Sequence, residues 1–468
     1  MAPPSAPLSH RLLARPWLLV FVPVNAATSA FGIALPLLIL ITLHGSWVQV
    51  ALAATLFNAA VIVASMLWGY LSDRFPRRRR FLAFNYLGYA VVFAALSQFH
   101  SLTVLLLLYM AVGLLAPAGT SASNLLILEQ FSERERGTAY ASFQEMSILG
   151  SMAGLLVGYA WLVVHFPLPP MLLVLAVLSV VSVVAVQIGV RDSPRHARTI
   201  NVAHHPESLS SRLRHSVSLR VQVPFFPKRP SLKPGSLARF RKWVRQEVRH
   251  EIPLIFAATL LFNLSANLFN ISYTPYLYSA GIGAAAIFLV SFSNNTAQAL
   301  AYPASGRITD QSGSDLLVQR STYLRGLGYL AVAGFTFVPV FVGLVAFSAN
   351  LVAYGIMGGA IAFYSTASSL ILFRALEGRD AGTLLGVNSA LGGVAAVGGA
   401  ALSGLLALVG SFRLSFLLSA AALLASLPLW TAAHVAHVRR KAGVVGPTPS
   451  ASSDRPAISV EARRRETD

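Results

Sequence analysis

The chain has 468 residues, 55% hydrophobic and only 11% charged, where a soluble protein carries roughly a quarter of its residues charged. It has no cysteine, which excludes disulfides, thiolate metal sites, iron–sulfur clusters and cysteine nucleophiles. The formal charge of +19 lies in short segments between apolar stretches and in one long central segment, a pattern of membrane topology and not of nucleic-acid binding.

A membrane-spanning helix needs about 20 mainly apolar residues. Twelve stretches qualify: 17–43, 47–71, 81–99, 102–129, 137–164, 168–190, 253–278, 284–306, 323–343, 346–374, 382–408 and 412–437. An N-terminal tail over 1–16 carries Arg11 and Arg15. In the first stretch Ala26-Ala27-Thr28-Ser29-Ala30 imitates a signal-peptidase site, but the apolar run continues to Thr42, so an uncleaved helix is expected. Asn25, Ser29, Gly32 and Pro36 share one of its faces.

The second stretch ends in GYLSDRFPRRRR, with Gly69, Asp73, Arg74 and Arg77. The fourth carries Thr120 and Asn124, and Arg134 and Arg136 precede the fifth. Counting from Arg136 at about 1.5 Å per residue puts Glu145 roughly 13 Å into the membrane, where an acid is expensive and suggests function. Proton coupling is one reading of it; a structural hydrogen bond to a neighbouring helix, or an interlock with the Asp310 loop, is the other. Gly150, Gly154 and Gly158 follow at every fourth residue, a groove for close packing expected to face the other half of the chain.

Residues 191–252 form a polar, basic linker rich in Ser and Pro, which divides the stretches six and six. Within it Ser236–His250 fits a basic amphipathic helix lying on the membrane surface. The seventh stretch carries Asn263, Asn267, Asn270 and Thr274 on one face, and the eighth carries Asn294, Asn295 and Gln298. Such amides line a wet cavity or bond across packed helices. The eighth ends in GRITDQSG, with Gly306, Asp310 and Gly313. Arg307, Arg320 and Arg325 are assigned to the connection between the eighth and ninth stretches, Arg325 at the very start of the ninth, so no Lys or Arg is expected mid-span and an anionic substrate is disfavoured. The tenth carries Met357, Tyr364 and Ser368 on one face, with Tyr354 nearby, and a polar tail occupies 438–468. The eleven histidines lie in tails, loops or at span ends, so no haem, histidine–metal centre or other cofactor is expected.

The positive charges fall on alternate loops and at both ends of the chain, with Arg413 the main exception. The positive-inside rule then places both termini and the linker in the cytoplasm of a cell-membrane protein, inner or plasma, that crosses the bilayer many times.

The loop after the second stretch and the loop after the eighth share a Gly-to-Asp spacing of four, Gly69 to Asp73 and Gly306 to Asp310. Gly69, Leu71, Asp73, Arg74, Arg77 and Arg78 match G-x-L-x-D-R-x-G-R-R, with Pro76 replacing the second glycine. In this the chain resembles the major facilitator superfamily, over nearly its whole length apart from the linker and tails. The resemblance implies an all-α membrane protein of twelve transmembrane helices in two pseudo-symmetric six-helix bundles, 17–190 and 253–437. It also implies a monomer working by alternating access, with Gly69, Asp73, Arg74, Arg77, Gly306, Asp310 and Gly313 as an interlock between the halves.

It further implies a central cavity lined by spans one, four, seven and ten, to which Asn25, Asn124, Asn263, Asn267, Asn270 and Tyr364 are assigned, with Asn294, Asn295 and Gln298 from span eight. The glycines of span five have a spacing similar to the antiporter motif of drug-exporting facilitators. Yet Leu155 stands at its proline position and Tyr159 at its last glycine, and Tyr109 replaces the arginine of the span-four motif. The expected partners are the lipid bilayer, a small-molecule substrate and protons. Proton-coupled export of a small, fairly apolar or cationic compound is expected, with sugars or neutral metabolites, or a non-transporting receptor, as alternatives. An enzyme is not expected, because the spans offer one isolated acid where intramembrane catalysis needs paired groups.

Overall fold

The structure is a computed structural model that describes residues 16–74, 77–99, 101–130, 133–190, 251–338, 342–376 and 381–444. Helix α1 (Val22–Leu37) opens from a 3-10 turn, Pro16–Phe21, and passes into a π-helical turn, Leu38–Thr42. There follow α2 (Trp47–Arg74), α3 (Arg78–Gln98), α4 (Leu102–Gln130), α5 (Glu133–Val163) and α6 (Leu168–Gly189). The second half comprises α7 (Glu251–Ser279), α8 (Ala284–Ser312), α9 (Ser314–Phe335), α10 (Gly343–Leu376) and α11 (Ala381–Leu408). Helices α12 (Phe412–Leu424) and α13 (Leu427–Val444) together make the twelfth crossing. The amphipathic segment expected at Ser236–His250 lies outside the described residues.

The packing repeats six helices later. In the first half α1 packs on α5 and α6, α2 on α4, and α3 on α4 and α6; in the second, α7 packs on α11 and α12, α8 on α10, and α9 on α10 and α12. The two halves meet along the α2–α11 and α5–α8 seams, which are also related by the repeat. Small residues permit these approaches, since association in a membrane depends on close packing. A Cβ on Gly113 of α4 would stand 2.5 Å from the Phe57 carbonyl oxygen of α2. In the second half, a Cβ on Gly399 of α11 would stand 2.7 Å from the Leu264 carbonyl oxygen of α7. Apolar side chains such as Val63, Val91, Ile188, Leu300 and Leu405 are turned outward, as a lipid-facing surface requires.

Among the described residues, ten crossings are long and apolar enough to span a membrane by length and composition. The two that fall short are α8, with Asn294, Asn295 and Gln298, and α9, with Asp315, Arg320 and Arg325. The ninth crossing corrects the sequence expectation of 323–343. The helix begins at Ser314, directly after the positive-φ turn at Gly313, and ends at Phe335. Its first turns carry Asp315, bonded to Arg374, and exposed Arg320, so the apolar run starts late and the expected span overshoots into the following loop. Arg325, expected before the span, is therefore mid-helix and only 6% exposed.

Candidate functional site

A cavity of about 340 Å³ opens between the halves, nearer the side away from the linker. Helix α1 contributes Thr28, Ser29, Gly32 and Pro36; α7 contributes Asn270, Tyr273 and Thr274; α8 contributes Ser291, Asn294 and Asn295. Val50 and Ala54 of α2, Tyr109 of α4, Leu155 of α5 and Tyr354 of α10 also line it. No charged side chain lines it among the described residues. Its polar groups are held in place: Asn294 Nδ2 donates to the Tyr354 carbonyl at 2.8 Å, and Gln298 Nε2 donates to Asn294 Oδ1 at 2.6 Å. Tyr273 Oη donates to Asn350 Oδ1 at 3.1 Å, and Tyr109 stacks on Phe57 with ring centroids 4.7 Å apart. Fixed rings and amides around an uncharged hollow suit a flat, mostly apolar molecule with a few polar groups.

On the side away from the linker the halves are closed over this cavity. Trp47, the first residue of α2, is buried and donates its indole N–H to Ser403 Oγ of α11 at 3.2 Å. Its ring stacks on Phe412 of α12, with centroids 4.3 Å apart. Ser403 Oγ lies 3.0 Å from Ser272 Oγ, which lies 2.5 Å from Ser415 Oγ, so the bond from the first half enters a serine chain through α11, α7 and α12. A Cβ on Gly158 of α5 would collide with the Phe288 ring of α8 across the other seam.

The structure sorts the residues expected to act. Asn270, Asn294 and Asn295 line the cavity, and Gln298 supports it through Asn294. Asn263 and Asn267 do not line it. Asn267 Nδ2 bonds the Asn263 carbonyl one turn back on α7, and its Cβ faces Gly399 of α11 in the helix seam. Asn25 likewise bonds the Phe21 carbonyl and packs beside Gly150 of α5. Tyr364 is buried inside the second bundle and stacked on Phe262 at 3.5 Å, away from the cavity wall.

The glycine groove is also reassigned. Gly150 and Gly154 press against Val22 and Ala26 of α1 in the same half, and only Gly158 meets the other half. Glu145 is half-buried and engaged with a neighbouring group. It stands about ten residues, roughly 15 Å along α5, from the cavity residue Leu155. Arg77 is exposed at the start of α3, and Gly313 takes φ +79° between α8 and α9. The side chains of Asp73, Arg74, Asn124 and Asp310, and the surroundings of Gly69 and Gly306, lie outside the described residues.

Three features went unread in the sequence. Trp47 gave no local signal, because its partners are more than 350 positions away. At the linker end of the second bundle, Arg374 makes a bidentate bond to Asp315 at 3.0 and 3.1 Å, with His434 at 3.3 Å from the same carboxylate. His437, one turn from His434, pairs with buried Glu251 at 3.0 Å. Arg325 is the third, and the Gly-Ser-Asp start of α9 was the signal that could have found it.

The family model described as Major Facilitator Superfamily matches residues 17–343. Among curated proteins, the cercosporin MFS transporter CTB4 of Cercospora nicotianae is 31% identical over 104 residues, 22% of this chain and 20% of that protein. The chain thus matches about a fifth of that relative's length. Among solved structures, the nucleoside transporter NupG has a TM-score of 0.61 at 12% identity, covering 90% of this chain and 98% of that one. A bacterial homologue of the human lysosomal transporter Spinster, in an inward-facing and unoccupied conformation, has a TM-score of 0.61 at 14% identity, covering 92% and 98%. These similarities concern the fold.

Proposed function

The chain belongs to the major facilitator superfamily, and from that premise we propose that it is a secondary active exporter of small organic compounds, driven by protons. The observation that carries this reading is the uncharged cavity of tyrosines and amides between two bundles related by the six-helix repeat. The bundles rock along the α2–α11 and α5–α8 seams, so that the cavity opens to one side at a time. In the arrangement described, Trp47, Ser403 and Phe412 hold the far side shut. The linker face is assigned to the cytoplasm of the cell membrane because the Arg-rich loops lie there. The likeness to a protein named as a cercosporin MFS transporter supports a small organic cargo, which the tyrosine and amide walls would accept. A cationic cargo is less well suited, because no carboxylate lines the cavity among the described residues.

Glu145 is assigned the coupling proton. A carboxyl half-buried on α5 costs less to keep in the bundle when neutral, so protonation there favours one arrangement of the helices over the other. The test is movement of small fluorescent aromatic compounds across proteoliposomes under an imposed pH gradient, comparing the parent with Glu145→Gln. Gradient-driven movement that the variant loses supports the assignment. Movement indifferent to the gradient refutes proton coupling, and no movement of any compound refutes export.

A further inference from the structure

Arg325 sits halfway along α9, 6% exposed. Its Nε donates to Tyr329 Oη at 2.8 Å, and its guanidinium carbon lies 5.2 Å from the Phe262 ring centroid and 5.4 Å from that of Tyr329. No carboxylate pairs with it, and its terminal N–H groups have no other bonded partner among the described residues. The neighbouring Tyr364 hydroxyl is fully buried, facing Thr259 and Ser368 without a well-formed hydrogen bond to either. A guanidinium carries five donors and cannot shed its charge, so such a site inside a membrane bundle is costly unless something anionic completes it.

The position of this vacancy in the bonding relates it to the cavity. Arg325 lies about ten residues, roughly 15 Å, from the far end of its helix; Asn294 and Tyr354 lie at about the same distance from the corresponding ends of α8 and α10. Between them stands a continuous set of rings. Tyr329 stacks on Phe269 at 4.1 Å, Phe269 on Tyr273 at 4.9 Å, and Tyr273 lies 4.5 Å from Tyr354. Tyr273 and Tyr354 are cavity wall, and Tyr354 is within electrostatic reach of the arginine.

We propose that Arg325, with the Tyr364 hydroxyl, forms a buried site for one acidic oxygen, and that the compounds carried are therefore aromatic acids. The ring system of the cargo packs against Tyr273 and Tyr354, and its carboxylate is drawn toward the guanidinium behind them. This rests on the transport reading but is separable from it. The site adds a basic residue behind the wall of a cavity whose own lining has none. A purely structural arginine, joining α9 to α7 through Phe262, would make the same contacts but would not discriminate between charged and neutral ligands.

The experiment is equilibrium binding of 2-naphthoate and of its neutral isostere 2-naphthamide to the purified full-length protein. The parent is compared with Arg325→Gln, Arg325→Lys and Tyr329→Phe, each checked for folding by thermal melting. The parent is expected to prefer the acid by about ten-fold, as a charge-assisted contact in a dry site should give. Arg325→Gln should lose that preference while keeping the amide affinity, whereas Arg325→Lys and Tyr329→Phe, which retain the charge, should keep part of it. Should Arg325→Gln not fold, the parent's preference and its reduction in Arg325→Lys carry the test. Equal binding of acid and amide by the parent, a preference that survives in Arg325→Gln, or no binding of either compound would overturn the proposal. Gradient-driven movement of neutral dyes would meanwhile leave the transport reading standing.

Discussion

The closure over the far side of the cavity depends on Trp47, and Trp47→Ala should release it. The substitution removes a hydrogen bond to Ser403 worth about 1 kcal/mol. It also removes the stack on Phe412, worth about 1 kcal/mol more. If these contacts exist only while the halves are closed there, their loss shifts the equilibrium by about 2 kcal/mol, roughly 30-fold toward the open arrangement. Trp47→Phe keeps a stacking ring and loses only the hydrogen bond, so it should shift the equilibrium by roughly 5-fold.

The chain has no native cysteine, which provides a clean assay. Ala54 lines the cavity and is half-buried, so Ala54→Cys reports access when a membrane-impermeant thiol reagent is added on the side away from the linker. Its labelling rate should rise in proportion to the open population. Ser403→Ala combined with Trp47→Phe should be non-additive, because both remove the same bond. Unchanged labelling in Trp47→Ala would refute the closure argument, since the seal would then rest on other contacts.

Further expectations follow from the packing. Gly154→Ala places a methyl group against the Ala26 carbonyl, which cannot yield as a side chain would, and should cost about 1–3 kcal/mol in melting experiments. Gly313→Ala has open space but a φ of +79° with ψ 141°, a conformation nearly confined to glycine, so it should cost about 1–3 kcal/mol through the backbone alone, with transport unchanged once folded. Asp315→Asn breaks the bidentate pair with Arg374 and leaves a partly buried guanidinium against a neutral amide, which should lower stability by about 1–3 kcal/mol in thermal unfolding.

The spans show where sequence reading succeeded and where it stopped. Among the described residues ten of the twelve crossings are readable from apolarity alone, because a helix facing lipid on one side must stay apolar for about 20 residues. The ninth was displaced because its first turns carry Asp315, paired with Arg374, and exposed Arg320, which interrupt the apolar run. That displacement hid Arg325, so the cavity seemed to have no cation near it. The asparagines of α7 were legible as one stripe, but a stripe at helical spacing specifies only direction along one helix. Asn267 faces a glycine of α11 and Asn270 faces open space, and that difference belongs to the neighbouring helices. The glycines of α5 were legible as a groove for the same reason, and their partner was not: two of the three hold α1 rather than the other half.

The amino-acid sequence by itself determined that the chain crosses a membrane twelve times in two related halves, because span length, loop charge and an internal repeat are local properties set by the bilayer and by duplication. Only the tertiary structure decided which polar residues face the cavity, that Trp47 closes it and that Arg325 stands behind its aromatic wall. Each of those facts is a contact between helices far apart in the chain, and the energy of such a contact depends on a partner that no local pattern names.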